Sequence, residues 1–519
     1  MSIWCCIRSV PVWNFEPSTN SNSITYQHND SIQHVLQQHS SPYIEYIRSV
    51  ELLKLRQLFN QLCSAHLHID APRECFNRWL YLQYSQTTQY CIQQAEQYKN
   101  NIGTLYVDPL LRCPTLITTT DVIKHELSVE IPSRNDISRF KQINKAHKTF
   151  NTYIKSLHKW LNNSTHLQTA IMPNKQLQQQ CDSITQQLTQ TDQWYSKNKQ
   201  CKDIDVLLQQ FVQLRDAAQP MVMAVMTKQI ESVCIELYNA VIQSVKHIYS
   251  ALQNDTHISQ HTEISTNTTN NPDNVTIQCK HDKFNDTVSI QHIHYNKLRT
   301  MYQLKNTDTT QFNERLYQLV RRYTSVFSGI ETYEGSGFHA AVPETGFNEL
   351  TKQFNTTQEL FASPLNCYYK QLCSAFIDTD IYYGSVGSFF DCNIVSGSYE
   401  CNPPFVLEVM NATAVRINQL LNATHEPLSI IVYVPYWNSP PAQYIIDFEN
   451  SIYKVYHYII PDKQHIYIEG TQHNSTIDKR YFTAAHDTAF YILQNDAGKQ
   501  KYPVTDDKIQ AVLQAQNVK

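Results

Sequence analysis

Glycine is scarce in this chain. Its 519 residues include 10 glycines, where ordinary usage of about 7% would give roughly 36. All but one lie after residue 328, and six fall between Gly335 and Gly397. A chain that avoids glycine elsewhere and keeps it there has tight turns, or backbone lying close to a ligand, in that stretch. Charge is sparse as well: 17% of residues are charged and 41% hydrophobic, with a net charge of −4. The polar surface must therefore come from Gln, Asn, Thr, Ser and His. This balance excludes a basic footprint for nucleic acid over the whole chain and leaves only a local patch. No apolar run is long enough to span a bilayer. The start, "MSIWCCIRSVPVW", has no signal-peptide core, so the Asn-x-Ser/Thr triplets read as accidents of composition. The 14 cysteines show no C-x-x-C spacing. They are expected to be reduced, in cytosol or nucleus, with no metal site. P-loop, GxGxxG, HExxH and Ser-His-Asp signatures are lacking too.

What is present falls into blocks. Residues 1–44 read as a polar tail. Residues 45–252 carry apolar positions at three/four spacing, as in "SRFKQINKAHKTFNTYIKSLHKWL", and read as a helical domain. Residues 253–274 are low-complexity and expected to be a disordered insertion. From 275 to 519 the period changes. "VTIQCKHD" and "TVSIQHIHY" alternate like a hairpin, and "ERLYQLVRRYTSVFSG" reads as a helix. "ELFASPLN" and "LSIIVYVP" read as buried strands, with "LNCYYKQLCSAF" and "VMNATAVRINQLL" as helices between them. "YFTAAHDTAFYILQN" reads as a helix followed by a late strand. That alternation predicts an α/β fold with a mostly parallel sheet covered on both faces.

In such sheets ligands bind beyond the carboxyl ends of the strands. Three stretches are expected there: "SPLN" (Ser363, Pro364, Leu365, Asn366), "FIDTD" (Phe376 to Asp380) and "NPPF" (Asn402, Pro403, Pro404, Phe405). Asp378 and Asp380 suit a ribose diol, although acids in such places are commonly caps. NPPF follows a strand-like stretch and precedes a helical one. Two adjacent prolines fix two φ angles and remove two donors, so the turn can be a stiff connector. It can equally hold a polar side chain, a carbonyl and an aromatic ring rigidly. The exocyclic amine of adenine is a poor nucleophile because its lone pair is delocalised. Acceptors on its two N–H bonds favour the tetrahedral geometry needed to attack a methyl sulfonium. The Asn402 oxygen and a proline carbonyl are such acceptors, and Phe405 can stack the base. The pattern resembles the [ND]-P-P-[YFW] signature of amino-methyltransferases that use S-adenosylmethionine.

The wider sequence is similar to one family. "LFASPLNCYYKQLCSAFIDTD", "GSYECNPPF", "EPLSIIVYVPYW" and "GTQH…AAHDTAFYILQNDAG" resemble the cap-specific mRNA adenosine N6-methyltransferases, also called phosphorylated CTD-interacting factors. The likeness runs from about residue 275 to 503 and reaches the helical part through "PRECFNRWL", "DPLL" and "HELSVEIPSR". The resemblance implies a Rossmann-like methyltransferase domain, dependent on S-adenosyl-L-methionine, packed against an N-terminal all-helical domain. It implies N6-methylation of the 2′-O-methyladenosine next to the 7-methylguanosine cap of mRNA, in the nucleus. Asn402, Pro403, Pro404 and Phe405 would be catalytic. Ser363, Pro364, Asn366, Asp378, Asp380 and Asn402 would hold the cofactor. Phe405, Leu407, Glu408, the run Trp437, Asn438, Ser439, Pro440, Pro441 and the run Asp462, Lys463, Gln464 would line the substrate side. Arg78 and His125 would meet the cap, in a cleft between the two domains.

The chain also departs from the family pattern. Val406 and Leu407 stand where relatives have a small residue and Glu, and the acid comes at Glu408. His125 stands where relatives carry Arg. No pair of Trp residues has WW-domain spacing, so the WW domain of animal members is expected to be absent, and with it binding to the polymerase tail. N6-adenine methylation of internal RNA or DNA, and non-catalytic cap or RNA binding, stay open beside the capped-mRNA reading.

Overall fold

The structure is a computed structural model. It describes residues 13–15, 24–25, 40–67, 69–72, 74–113, 123, 127, 143–162, 175–255, 262–267, 273–281, 283–326, 336–475 and 479–516. The chain divides into two compact units, one of residues 1–53, 80–113 and 242–519, the other of residues 54–79 and 114–241. No described helix is long and apolar enough to cross a membrane.

The elements in chain order begin with β1 (Ile24–Thr25), α1 (Pro42–Leu62), α2 (Cys75–Tyr84), α3 (Thr88–Ile102), α4 (Ile143–Asn162), α5 (Lys175–Lys197) and α6 (Ile204–Gln253). Helix α3 shows why such segments stop and start where they do. The Thr87 hydroxyl accepts the Tyr90 N–H at 3.2 Å at its start, and Gly103, at φ +89°, closes its end. The described elements of the second unit are helices, and aromatic side chains pack between them. Phe211 meets Phe150 and Tyr153 edge-on, and Phe76 meets the fully buried Trp79.

The first unit continues with an antiparallel three-stranded sheet of β2 (Glu263–Asn267), β3 (Asn274–His281) and β4 (Phe284–Gln291). The predicted hairpin is present. Part of the expected disordered insertion is instead strand β2, paired to β3 from Glu263 to Asn267. Helices α7 (His292–Lys305), α8 (Phe312–Val326) and α9 (Glu344–Phe354) follow. Next come β5 (Asn393–Ile394), β6 (Gly397–Cys401), α10 (Leu407–Ala423), β7 (Leu428–Pro435), α11 (Gln443–Glu449), β8 (Lys454–Ile460), β9 (Ile466–Ile468), β10 (Tyr481–Thr483) and β11 (Thr488–Gln494). Two helices close the chain, α12 (Asp496–Lys501) and α13 (Asp506–Gln514).

The main sheet has the order β6-β7-β11-β8. Single parallel bridges extend it beyond β6: Glu400 to Glu359, Glu359 to Leu372, and Leu372 to Ser385. The ladder there is regular. Leu360 N–H donates to Glu400 O at 2.9 Å, Cys373 N–H to Glu359 O at 2.8 Å, and Val386 N–H to Leu372 O at 2.9 Å. β6 and β7 are parallel and buried throughout, as expected of strands covered on both faces. Ile431, Tyr433, Phe490 and Ile492 turn one face toward Phe347 and Leu350 of α9 and Ile509 and Val512 of α13. Ile430, Val432 and Val434, of opposite parity, face the other side.

Three expectations need correction. The sheet is mixed, because β11 runs antiparallel to both β7 and β8. Residues 481–494 hold β10 and β11 and no helix. Residues 365–376, expected to be helical, form a turn and then the strand position at Leu372. Their backbone is claimed by side chains. Glu359 accepts the N–H groups of Tyr368 at 2.7 Å and Tyr369 at 3.0 Å, and Lys297 donates to the carbonyls of Cys367 at 2.6 Å and Leu365 at 3.4 Å. In the polar N-terminal stretch, β1 pairs with β5 and Asn14 bridges Tyr369.

A closed charge network braces the wall of the main sheet. Arg322 of α8 meets Glu45 of α1 at 2.7 and 2.8 Å and Asp378 at 2.7 and 3.0 Å. Arg48 meets Glu45 at 2.5 Å and Asp108 at 2.8 Å. Burial alone would raise the Glu45 carboxyl, but Arg322 and Arg48 outweigh it and hold it at about 2. Removing one partner leaves charge buried and unpaired, at a cost of about 3–5 kcal/mol. Arg322→Met should therefore lower stability by that order in denaturant unfolding at neutral pH. Because the folded carboxyl is depressed, its contribution is present above the ordinary 4.5 and is lost as pH falls from there toward about 2. Denaturation midpoints followed down that range should show wild-type protein losing its margin over Arg322→Met. Equal midpoints at neutral pH would mean the network carries no net stability.

Candidate functional site

The order of the extended sheet locates a crevice. The chain starts in its middle at Glu359, steps outward to Leu372 and Ser385, then returns to the other side of Glu359 as β6. At such a reversal the connections leave in opposite directions and open a gap at the carboxyl ends of the strands. A cavity of about 960 Å³, counting its open mouth, lies there. Its walls follow the strand ends in order: Glu359 to Ser363, Cys373 to Phe376, Ser388 to Phe390, and Glu400, Asn402 and Pro404. Phe361, Phe389 and Phe390 pack against one another at 5.1–5.8 Å between centroids and form an aromatic side. Tyr81 and His339 lie on the cavity wall at 4.7 Å, edge to face.

The NPPF turn is clamped from above by residues 338–340. Phe405 N–H donates to Phe338 O at 2.9 Å, and Asn402 Nδ2 donates to Ala340 O at 2.5 Å. That fixes the amide of Asn402, which is 9% exposed. Its Oδ1 is buried with no hydrogen-bond partner among the described residues. A pinned amide with an unanswered acceptor on a cavity wall is a site for an incoming N–H. Phe405 is buried and meets Tyr467 and His486 edge-on at 5.9 and 5.8 Å.

Two acids form part of the wall. Burial pushes Glu359 up to about 7, against the N–H groups of Tyr369 and Tyr368 and the charge of Lys297. Burial, with Glu359 beside it, holds Glu400 well above the usual carboxylate range. Burial also holds His339 down at about 3, so it stays neutral.

Of the residues singled out in the sequence, the fold brings Ser363, Asn366, Asn402 and Pro404 to the cavity. Asn366 Oδ1 accepts from Ser363 N at 2.7 Å and Ser363 Oγ at 2.9 Å, which closes the loop on itself. Pro364, Pro403 and Phe405 are buried and are not among the residues that line this cavity. Asp378 has both oxygens on Arg322, and Asp380 is fully buried on Tyr323 at 2.6 Å and Thr379 at 2.8 Å. Both acids brace the wall from outside rather than line it. Leu407 and Glu408 open α10 and are half-buried.

Trp437, Asn438, Ser439, Pro440 and Pro441 are exposed after β7. Half-buried Asp462 and exposed Lys463 and Gln464 follow β8. Asp487 joins the two loops: its carbonyl accepts from Tyr436 N and its carboxylate from Asp462 N, each at 2.8 Å. They therefore share the carboxyl edge of the sheet with NPPF. Arg78 is half-buried on α2. His125 and Gly335 lie outside the described residues.

Sequence reading missed Glu359, Glu400 and the Phe361, Phe389, Phe390 group. The legible signal was an acid in each of two strand-like stretches, "TQELF" and "GSYEC", expected to lie in the sheet, where an acid is seldom buried without a role. Asp378→Asn should lower the melting temperature, because Arg322 loses a charged partner. The affinity of a nucleoside ligand for the cavity should stay within about twofold. A large loss of affinity without loss of stability would place Asp378 on the ligand after all.

Comparison with known proteins follows the same stretch of chain. A family model described as "Phosphorylated CTD interacting factor 1 WW domain" matches residues 297–470, from α7 to just past β9. The expectation that this chain lacks the family's WW domain is thereby overturned, and the argument against polymerase-tail binding loses its basis. The chain is 29% identical over 507 residues to a human protein named mRNA (2′-O-methyladenosine-N(6)-)-methyltransferase. It is 28% identical over 503 residues to the mouse protein of the same name. Each match covers 91% of this chain and 66% of the relative, so the chain spans about two thirds of the length of these curated relatives.

Proposed function

We propose that this chain is an adenosine N6-methyltransferase that uses S-adenosyl-L-methionine and acts on the 2′-O-methyladenosine beside the cap of mRNA. The reading includes a Rossmann-like methyltransferase domain, a helical domain and a nuclear location. Asn402 carries it: a side chain pinned through Nδ2, with its buried Oδ1 left to accept. The names of the human and mouse relatives point to the same chemistry.

When bound, the donor supplies a methyl group on a positively charged sulfur. The cavity suits such a molecule in three respects: its place at the strand reversal, its aromatic side and its unanswered acceptor. The residues of the chain then have separate tasks. Asn402 Oδ1 and the Pro403 carbonyl accept the two N–H bonds of the target amine and favour its tetrahedral form. The Pro404 carbonyl is already taken by Val406 N–H at 2.6 Å, which stiffens the turn. The amine loses its proton after attack, so no side chain need remove it beforehand. Phe405 offers a ring to the base. The loops 437–441 and 462–464 receive the RNA at the same edge. Arg78, with His125, is retained as a cap contact.

The assay is transfer of labelled methyl to short RNAs that differ only in cap and first nucleotide. Asn402→Ala should lower turnover about 10²–10³-fold while calorimetric affinity for the donor stays within a few-fold. A folded Asn402→Ala protein with wild-type turnover would remove Asn402 from the chemistry. Equal methylation of capped and uncapped RNA would favour an internal target, and donor binding without transfer a non-catalytic role. Phe405→Tyr should keep most activity, and Phe405→Ala should lose stacking worth about 1–3 kcal/mol per base. A variant Phe405→Ala that only melts earlier would make Phe405 a packing residue.

A further inference from the structure

Glu359 and Glu400 are direct bridge partners on adjacent parallel strands, and both line the cavity. They are 3% and 1% exposed. The Glu359 carboxylate is partly answered by two backbone N–H groups. Glu400 Oε1 is buried without a hydrogen-bond partner among the described residues. An unanswered carboxyl on a cavity wall costs free energy unless a ligand answers it. A neutral donor can answer a lone pair, whereas a cation also offsets the like charge of two adjacent acids. We propose that Glu400, with Glu359 beside it, is the cation-recognition element of this cavity. It favours the positively charged sulfonium donor over the uncharged thioether left after transfer, and a proton goes to solvent when the donor binds. This rests on the reading that S-adenosylmethionine occupies the cavity.

Geometry and charge lead to one expectation. Without a cation, burial and the neighbouring acid favour the protonated pair. The groups facing Glu400 are Glu359, Tyr369, Tyr433, Tyr467 and Cys401, and burial pushes the last four up, so they stay neutral near pH 7. Lys297 faces Glu359, and His339 in the cavity stays neutral. Asp380 is also raised to about 7, but it bonds to Tyr323 and Thr379 and does not line the cavity. On the cavity wall, Glu359 is pushed up to about 7 and Glu400 is raised beside it. A bound cation favours their ionised form, so its affinity rises with pH through the carboxyl pKa, by at most tenfold per pH unit for one proton. Donor and thioether share the same amino-acid end, so the ratio of their affinities isolates the charge on sulfur.

The test is calorimetry of the full chain with S-adenosylmethionine and S-adenosylhomocysteine, from pH 6 to 8, in two buffers of different ionisation enthalpy. Wild-type protein should release up to one proton more with the donor than with the thioether. The preference for the donor should grow about tenfold across that range. Glu400→Gln should remove the excess proton and flatten the ratio. If Glu400→Gln does not fold, the wild-type proton count and Glu359→Gln decide, the latter expected to reduce the excess. Equal proton counts and a flat ratio in the wild type overturn the inference while leaving the cofactor reading intact. Failure of both ligands to bind the wild type removes the cofactor reading itself, and the inference with it.

Discussion

Everything at the site depends on one strand being paired on both sides. Glu359 bonds to Leu372 in one direction and Glu400 in the other, and the chain reaches those neighbours by turning opposite ways. The cavity is the space those two turns leave. The same residue also sets the loop above it, because its carboxylate holds the N–H groups of Tyr368 and Tyr369. Lys297 holds the carbonyls just before them. A helix at 365–376 would need those groups for its own ladder. The loop that carries Ser363 and Asn366 to the cavity exists because two buried side chains compete successfully with helix formation.

Buried charge is handled in two ways in the same unit. Outside the cavity wall, Glu45, Arg48, Asp108, Arg322 and Asp378 answer one another in a chain of ion pairs. Inside it, Glu359 and Glu400 face each other with only backbone donors on one of them. The first arrangement is stable by itself. The second is completed only by something from outside the chain, and the same holds for Asn402 Oδ1. Unanswered groups thus gather at the reversal of the sheet, while the ion pairs stand behind it.

Much of this was legible in the sequence, for identifiable reasons. NPPF announced itself because two prolines can continue neither a strand nor a helix. β7 was legible from its apolar run, α8 and α10 from three/four spacing, and β6 as the strand-like stretch before NPPF. The misreadings share a cause. "LNCYYKQLCSAF" has helical spacing, but tertiary partners claimed its backbone. "YFTAAHDTAFYILQN" contains alanines that fit a helix, yet Thr488–Gln494 is drawn into the sheet between β7 and β8. Asp378 and Asp380 lie near the expected strand end, but whether an acid there faces a ligand or an arginine is decided by α8, more than fifty residues earlier. No local pattern carries that information.

Two of the scarce glycines have their explanation in the sheet. Gly384 sits at φ +100°, and a Cβ there would lie 2.2 Å from the carbonyl oxygen of Lys370. Gly397 begins β6 at φ +125°. The first lets the chain turn tightly into the strand position at Ser385. The second lets it enter β6 directly after β5, with its N–H on Pro427 O at 2.8 Å. Both serve the short outward steps and the return that make the reversal, and neither lines the cavity. Gly384 and Gly397 stand where strand positions follow one another with little helix between them. Such abrupt connections need backbone conformations that side chains forbid. The ligand space is a consequence of those turns, not of glycines approaching it.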